Sequence, residues 1–292
     1  MYDICCIGHL TLDKVVTPTT SIHMAGGTSF YFSNAIRNMD VNYCLVTAIA
    51  DTEMKSVSDL RANNIKVEVL PSAHTVYFEN IYSHNLDHRT QRVLQTADSF
   101  TVEQLENTDA KIYHLGPLLA NDMPLDLIRY LSEKGRVSLD VQGYLRKVED
   151  THVLAIDWLE KKEALQYVSI LKANESEMEV LTGSADIRKS AHILHQWGVE
   201  EVVITLGSKG AVIFDGTEFY AIRAYRPKAE IDATGCGDTF MAGYLYERIK
   251  GKGIQDAGEF AAAMASLKIE ASGPFTGTED DVKAKLAMTI TG

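Results

Sequence analysis

The chain is 292 residues long, 46% apolar and 23% charged, a globular composition with enough length to bury a sizeable core in one large α/β domain. Its 40 Asp and Glu against 28 Lys and Arg give a net charge of -12, which argues against general nucleic-acid binding but leaves room for a local anion site made of backbone amides. No apolar run approaches the roughly 18 residues of a membrane span; the opening MYDICCIGHL predicts no secretory leader, and four cysteines without a Cys-x-x-Cys pair predict reduced thiols in a cytoplasmic setting.

Short β-branched runs predict strands at 2–8, 43–49, 65–70, 111–116, 136–141, 167–173 and 201–207. Several are apolar on both faces, as in a parallel strand covered by helices on each side. Cys5 and Cys6, adjacent in the first run, should face opposite sides of the sheet. Helical periodicity lies between the strands, at 124–134, 157–166, 175–182 and 187–197, and this alternation predicts βαβ units with a mostly parallel sheet. Residues 10–24 and 74–95 break the rhythm: both are extended, polar and alternating, and Asn85–His88 predicts a hairpin turn in the second, so that a small β-flap is expected. From residue 236 the chain reads as helix throughout. One helix covers about 236–250, with Phe240, Met241, Tyr244, Leu245 and Ile249 on one stripe, and an alanine-rich one covers 255–271. With no repeat and no linker, residues 1–292 read as a single domain with the two polar excursions attached.

The stretch DATGCGDTFMAGYL, residues 232–245, carries the chemistry. Gly235, Cys236 and Gly237 open a long helix straight after an irregular segment. The first amides of a helix lack internal partners and sit at the positive end of its dipole, an anion cradle suited to a phosphoryl group. Asp238, in the first turn, is held beside whatever those amides hold and is placed to take a proton from an attacking hydroxyl. This segment resembles the C-terminal signature of the PfkB, or ribokinase-like, carbohydrate kinases. The resemblance implies a three-layer α/β/α sandwich with a mostly parallel central sheet and a small β-lid over the acceptor, formed by 10–24 and 74–95. It also implies that Asp238 is the catalytic base, that Gly235, Cys236 and Gly237 form the anion hole, and that Asp232 is the motif's opening acid on the cofactor side. ATP and Mg²⁺ are the implied cofactors, with a monovalent cation as a further candidate.

Three more segments fall in the family's order. GGTSFYFSNAI (26–36) resembles its di-glycine signature. ANESEMEVLTG (173–183) resembles its N-x-x-E element, in which Asn174 and Glu177 organise phosphate and Mg²⁺, Glu177 through water. ITLGSKGAVIF (204–214) resembles its T-x-G-x-x-G segment beside the nucleotide phosphates, through Thr205, Gly207 and Gly210. By the same resemblance the helix around 263–267 and the loop 271–277 lie by adenine.

On the acceptor side, Asp13, Gly26, Gly27, Asn34, Gln142 and Arg146 are the candidates, with Arg92 or Gln95 reaching in from the lid. The common sugar-kinase pattern has Asn four residues after the second glycine. Here that position is Tyr31, and the asparagine comes later, as Asn34. The segments 26–36 and 140–148 look more like those of the family's myo-inositol kinases, so a small polyol is the expected acceptor. A nucleoside stacked on Tyr77, Phe78, Tyr82, Phe30 or Tyr31 is the alternative, and a non-catalytic binding protein is the alternative from another class. No nucleic-acid or membrane partner is expected, and exposed lid edges suggest a homodimer. A dinucleotide fingerprint after the first strand, a P-loop and an H-E-x-x-H motif are all missing from the sequence.

Overall fold

A computed structural model describes residues 1–82 and 89–288. The turn expected at 85–88 lies outside those residues. In chain order the strands are β1 (Tyr2–Ile7), β2 (Thr11–Val16), β3 (Ser21–Gly26), β4 (Tyr43–Ile49), β5 (Val67–Pro71), β6 (Val76–Tyr82), β7 (Arg89–Gln95), β8 (Ala110–Leu115), β9 (Arg136–Asp140), β10 (Arg146–Glu149), β11 (His152–Ala155), β12 (Ile170–Asn174), β13 (Glu201–Thr205), β14 (Ala211–Phe214) and β15 (Phe219–Ile222). The α-helices are α1 (Thr28–Ile36), α2 (Met54–Ala62), α3 (Leu125–Lys134), α4 (Lys161–Ala164), α5 (Glu175–Thr182), α6 (Ile187–Gln196), α7 (Cys236–Ile249), α8 (Ile254–Lys268) and α9 (Glu279–Met288).

Among the described residues the strands form two sheets. The larger runs β15-β14-β13-β12-β9-β8-β1-β4-β5. All its pairs from β13 to β5 are parallel, whereas β14 and β15 pair antiparallel at one edge. Strands such as β1 and β12 bury both faces, which is why they read as unbroken apolar runs rather than alternating ones. Cys6 belongs to the core under α1, α7 and α8, and Cys5 to the core on the opposite face under α3, α5 and α6. Helices on both faces of a mostly parallel sheet make the expected three-layer α/β/α sandwich.

The second sheet runs β10-β11-β7-β6-β2-β3. It contains strands from both polar excursions, but it also takes in residues 146–149 and 152–155, which the sequence pattern did not mark as strands. Each of these two is only 4 residues long, too short for alternation to show. The C-terminal region also departs from continuous helix: residues 269–278 are irregular. Gly273 adopts φ 79° and Pro274 follows it, and neither continues a helix. Among the described residues no helix is long and apolar enough to cross a membrane.

In an open parallel sheet, ligands bind beyond the carboxyl ends of the strands. Here β9 ends at Asp140, β12 at Asn174 and β13 at Thr205. Helix α7, packed between α1 and α8, brings its N-terminus to the same edge.

Candidate active site

Gly235 is the residue before α7 and adopts φ 78°, a left-handed conformation, and a side chain there would run into the Tyr31 ring. The turn therefore requires glycine twice over, by conformation and by space. The Cys236 amide donates to the Ala233 carbonyl at 3.2 Å, which closes the turn, while the Gly237 amide has no main-chain partner among the described residues, with Asp238 in the same helical turn. Gly27 precedes α1 with φ 90°, so a second helix N-terminus meets the first, and the Thr28 side chain hydrogen-bonds Asp238. Burial first, and then the negative charge of Asp140, pushes the Asp238 carboxyl up to about 7; the Lys172 charge and the Thr28 hydrogen bond pull the other way without prevailing. A carboxyl that exchanges its proton near neutral pH suits a general base.

Beneath the glycines lies a buried charge cluster. Lys172 Nζ is 2.9 Å from Asp140 Oδ2 and 3.8 Å from Glu177 Oε2. The pairing of β12 with β9 places Lys172 directly beside Asp140. A methyl group built on Gly237 would lie 3.3 Å from Lys172 Nζ, so the ammonium lies immediately under the anion-hole backbone. Burial acts to lower the Lys172 pKa, but the carboxylates of Asp140, Glu177 and Asp238 outweigh it and hold the ammonium above the usual lysine range. Glu177 is pushed up, by burial first, against the pull of Lys172.

Two cavities meet at the start of α7. One, of 460 Å³, is lined by Asp13, Asn80, Gln91, Gln142 and Arg146 together with Asp238, Gly235 and Tyr31. The other, of 530 Å³, is lined by Thr205, Gly207 and Gly210 on one side, by Cys236 and Gly237, and by an apolar wall of Phe240, Ala262, Ala265 and Ile269. Asp238 thus lines the polar cavity while Cys236 and Gly237 of the same helical turn line the largely apolar cleft. Cys236 is no nucleophile here: burial, against the Lys268 charge, raises its thiol to about 11.

Most of the sequence-selected residues are thereby brought together, and several placements need correcting. Gly26 does not itself line the polar cavity but pairs with Thr11 beside it, where a side chain would meet the Asp13 carboxylate at 2.5 Å. Asn34 does not face the acceptor: it lies one helical turn after Phe30, donates to the Phe30 carbonyl at 2.9 Å and accepts from Arg37 at 3.1 Å. Tyr31 takes the wall position instead. Asp232 lines the polar cavity rather than the donor cleft, and its carboxylate accepts the amides of Thr234 and Gly273.

Asn174 and Glu177 line neither cavity. They form a capping box, with Asn174 Oδ1 accepting the Glu177 amide at 2.9 Å and Glu177 Oε2 accepting the Asn174 amide at 2.8 Å. Arg92 points to Glu79 and Thr151, because alternation along β7 gives the cavity face to Gln91. A bulge at Tyr77–Phe78 shifts Gln95 out of that register. Among the described residues no group of three or more His, Cys, Asp or Glu side chains is placed to hold a metal ion. Lys172, Asn80 and Gln91 escaped the sequence reading: the lysine hides in an apolar run, and the pair sits on strands whose register the sequence does not show.

Residues 88–281 match the pfkB family carbohydrate kinase description. The chain belongs to the pfkB family of carbohydrate kinases. It is 29% identical over 269 residues to a cytidine kinase of Thermococcus kodakarensis, covering 88% of this chain and 92% of that one. It is similar to a pyrophosphate-dependent kinase in the ribokinase family solved as a sulfate complex, with TM-score 0.87 and 31% identity over 96% of this chain and 99% of the other. A pyrophosphate-dependent kinase in the ribokinase family complexed with a pyrophosphate analogue and myo-inositol gives TM-score 0.86 and 30% identity over the same shares.

In a pfkB-family kinase the arrangement supplies alignment and charge, which is most of what phosphoryl transfer asks of a protein. An alanine at residue 235 tests the amide turn. Gly235→Ala is expected to fold but to lose about tenfold to a hundredfold in turnover, because the displaced turn misaims its amides. Far-ultraviolet circular dichroism together with steady-state kinetics checks it; wild-type turnover in the folded variant contradicts it.

Proposed function

We propose that this kinase moves the γ-phosphoryl group of ATP to a hydroxyl of a small cyclic polyol, with myo-inositol as the lead acceptor. The carrying observation is the split at α7: Asp238 lines one cavity, and Cys236 and Gly237 line the other. Asp238 takes the acceptor proton, and the Gly237 amide holds the migrating group over Lys172. Mg²⁺ would enter with the donor phosphates and supply charge neutralisation there, and Glu177, behind the cavities beside Lys172, would reach it only through water. The second sheet acts as a lid, since Asp13, Asn80 and Gln91 come from its strands to the polar cavity.

A ring with many hydroxyls suits a cavity whose wall includes the hydrogen-bonding side chains of Asp13, Asn80, Gln91, Gln142 and Arg146, and the myo-inositol complex of a similar protein supports this choice. ATP is supported by the apolar wall of the 530 Å³ cleft, against which a base can pack, and by Ser266. Its buried hydroxyl lines that cleft and, among the described residues, has no hydrogen-bond partner. Pyrophosphate is the second donor reading, favoured by the two similar pyrophosphate-dependent kinases. A nucleoside acceptor is the second acceptor reading, favoured by the similar cytidine kinase and by Tyr31 and Phe78 in the cavity wall.

A matrix of ATP and pyrophosphate against myo-inositol, ribose, fructose 6-phosphate, cytidine and inosine, read by product phosphate ester, decides among them. The highest kcat/KM is expected for ATP with myo-inositol. Preference for cytidine moves the acceptor to nucleosides, and preference for pyrophosphate replaces the donor.

A further inference from the structure

We propose that the Lys268 ammonium group is a built-in monovalent cation for the anion-hole loop, so that turnover needs no potassium or ammonium ion from solution. The inference rests on the kinase reading above. Lys268 is the last residue of α8 and its side chain is 0% exposed. Its Nζ lies 2.7 Å from the Asp232 main-chain oxygen, 3.4 Å from Asp232 Oδ2 and 5.9 Å from the centre of the Tyr31 ring. A carbonyl, a carboxylate and an aromatic face are the partners a weakly hydrated cation selects. The lysine occupies these oxygens, so a solution cation finds none of them vacant.

The groups around the ammonium lead directly to the chemistry. Asp232 Oδ1 accepts the Thr234 amide at 2.9 Å, and Oδ2 accepts the Gly273 amide at 3.3 Å. Burial alone would raise the Asp232 carboxyl; the Thr234 amide and hydroxyl, the Lys268 charge and the Gly273 amide overcome it and hold it below the usual carboxylate range. The lysine therefore ties the end of α8 and the 271–277 loop to residues 232–234. Gly235, the next residue, bears on the Tyr31 ring that also faces the ammonium. A shift in Lys268 reaches the turn closed by the Cys236 amide on the Ala233 carbonyl, and with it the Gly237 amide, within a few bonds, which makes it a positioning residue. A buried charge is costly unless paired, and a methionine would fill similar volume without that cost. The ammonium is explained by what it holds.

The test uses the full chain, wild type and Lys268→Met, at fixed ionic strength as choline chloride is replaced by potassium, ammonium or sodium chloride. Turnover with ATP and the best acceptor of the matrix is one readout, and the thermal midpoint without substrates is the other. Wild-type turnover and midpoint are expected to be the same in choline and in potassium. Lys268→Met should lose about tenfold or more in kcat with a smaller change in acceptor KM, and regain at least about threefold, with a higher midpoint, in potassium or ammonium but not choline. Lys268→Gln serves if the methionine variant does not fold. Wild type that needs potassium, or a folded variant that keeps wild-type kcat in choline, overturns the assignment. So does a variant that no ion restores. Absence of turnover with every acceptor in wild type sinks the kinase reading instead, and the midpoints then decide the role of Lys268 alone.

Discussion

Asp238→Asn is expected to lower turnover by about a hundredfold to ten-thousandfold while making the protein more stable above neutral pH. Both effects come from one cause. Burial and the Asp140 charge raise the folded-state carboxyl from an ordinary 3.8 to about 7. A carboxyl raised on folding favours the folded state while it holds its proton. That stability is fully present below about pH 4 and is lost as pH climbs through 7. At pH 8 the wild type keeps a buried anion that opposes folding, and the asparagine variant does not. The difference in midpoint should be a few degrees at pH 8, shrink as pH falls through 7 toward 4, and vanish only below about pH 4. The pH profile of wild-type kcat/KM should rise with pH through an acidic limb near 7, as the base loses its proton. Calorimetry at two pH values and a rate profile measure all three. A variant with near-normal turnover, or a wild-type limb near pH 4, removes Asp238 from the role.

How much of this was visible in the sequence divides along a physical line. Local features were legible. The glycines before α7 announce a turn and an exposed amide cluster by themselves, and the unbroken apolar runs of β1, β12 and β13 announce a sheet buried on both faces. Features that depend on two strands finding each other were not. Lys172 reads as an intruder in an apolar run until parallel pairing sets it against Asp140, 32 residues away in sequence. Gln91 and Arg92 are adjacent, and only the register of β7 against β6 decides that glutamine faces the cavity and arginine faces Glu79. Asn34 erred for a related reason. An asparagine inside a helix has its own backbone within reach, and here it bonds the carbonyl four residues back rather than a ligand. The N-x-x-E element carried a structural meaning as well as a chemical one: Asn174 and Glu177 cap α5, and that cap fixes where the Glu177 carboxylate sits relative to Lys172.

The cluster around Lys172 gives the second large expectation. Lys172→Met leaves the carboxylates of Asp140, Glu177 and Asp238 facing one another in a buried space with their cation gone. Removing one partner of a buried pair costs about 3–5 kcal/mol, because the other charge stays behind unpaired. The loss should grow with pH. Lys172 pulls both Asp238 and Glu177 downward, so without it both rise further, and the folded state is penalised once they are forced to ionise. The acidic limb of the rate profile should move above 7 for the same reason.

A second substitution separates the scaffold role from the chemical one. In Lys172→Met with Asp140→Asn, the nearest of the three carboxylates left unpaired in the single variant is neutralised, and part of the stability should return, with Glu177 and Asp238 still facing each other. Turnover should not return with it, because no positive charge remains beneath Gly237 to meet the migrating phosphoryl group; a deficit of about a hundredfold or more is expected to persist. Denaturant melts at pH 6 and pH 8, paired with single-turnover rates, read the two roles independently. Recovery of turnover together with stability in the double variant would reduce Lys172 to a structural counter-ion. Stability restored without turnover assigns the ammonium to the floor of the anion hole.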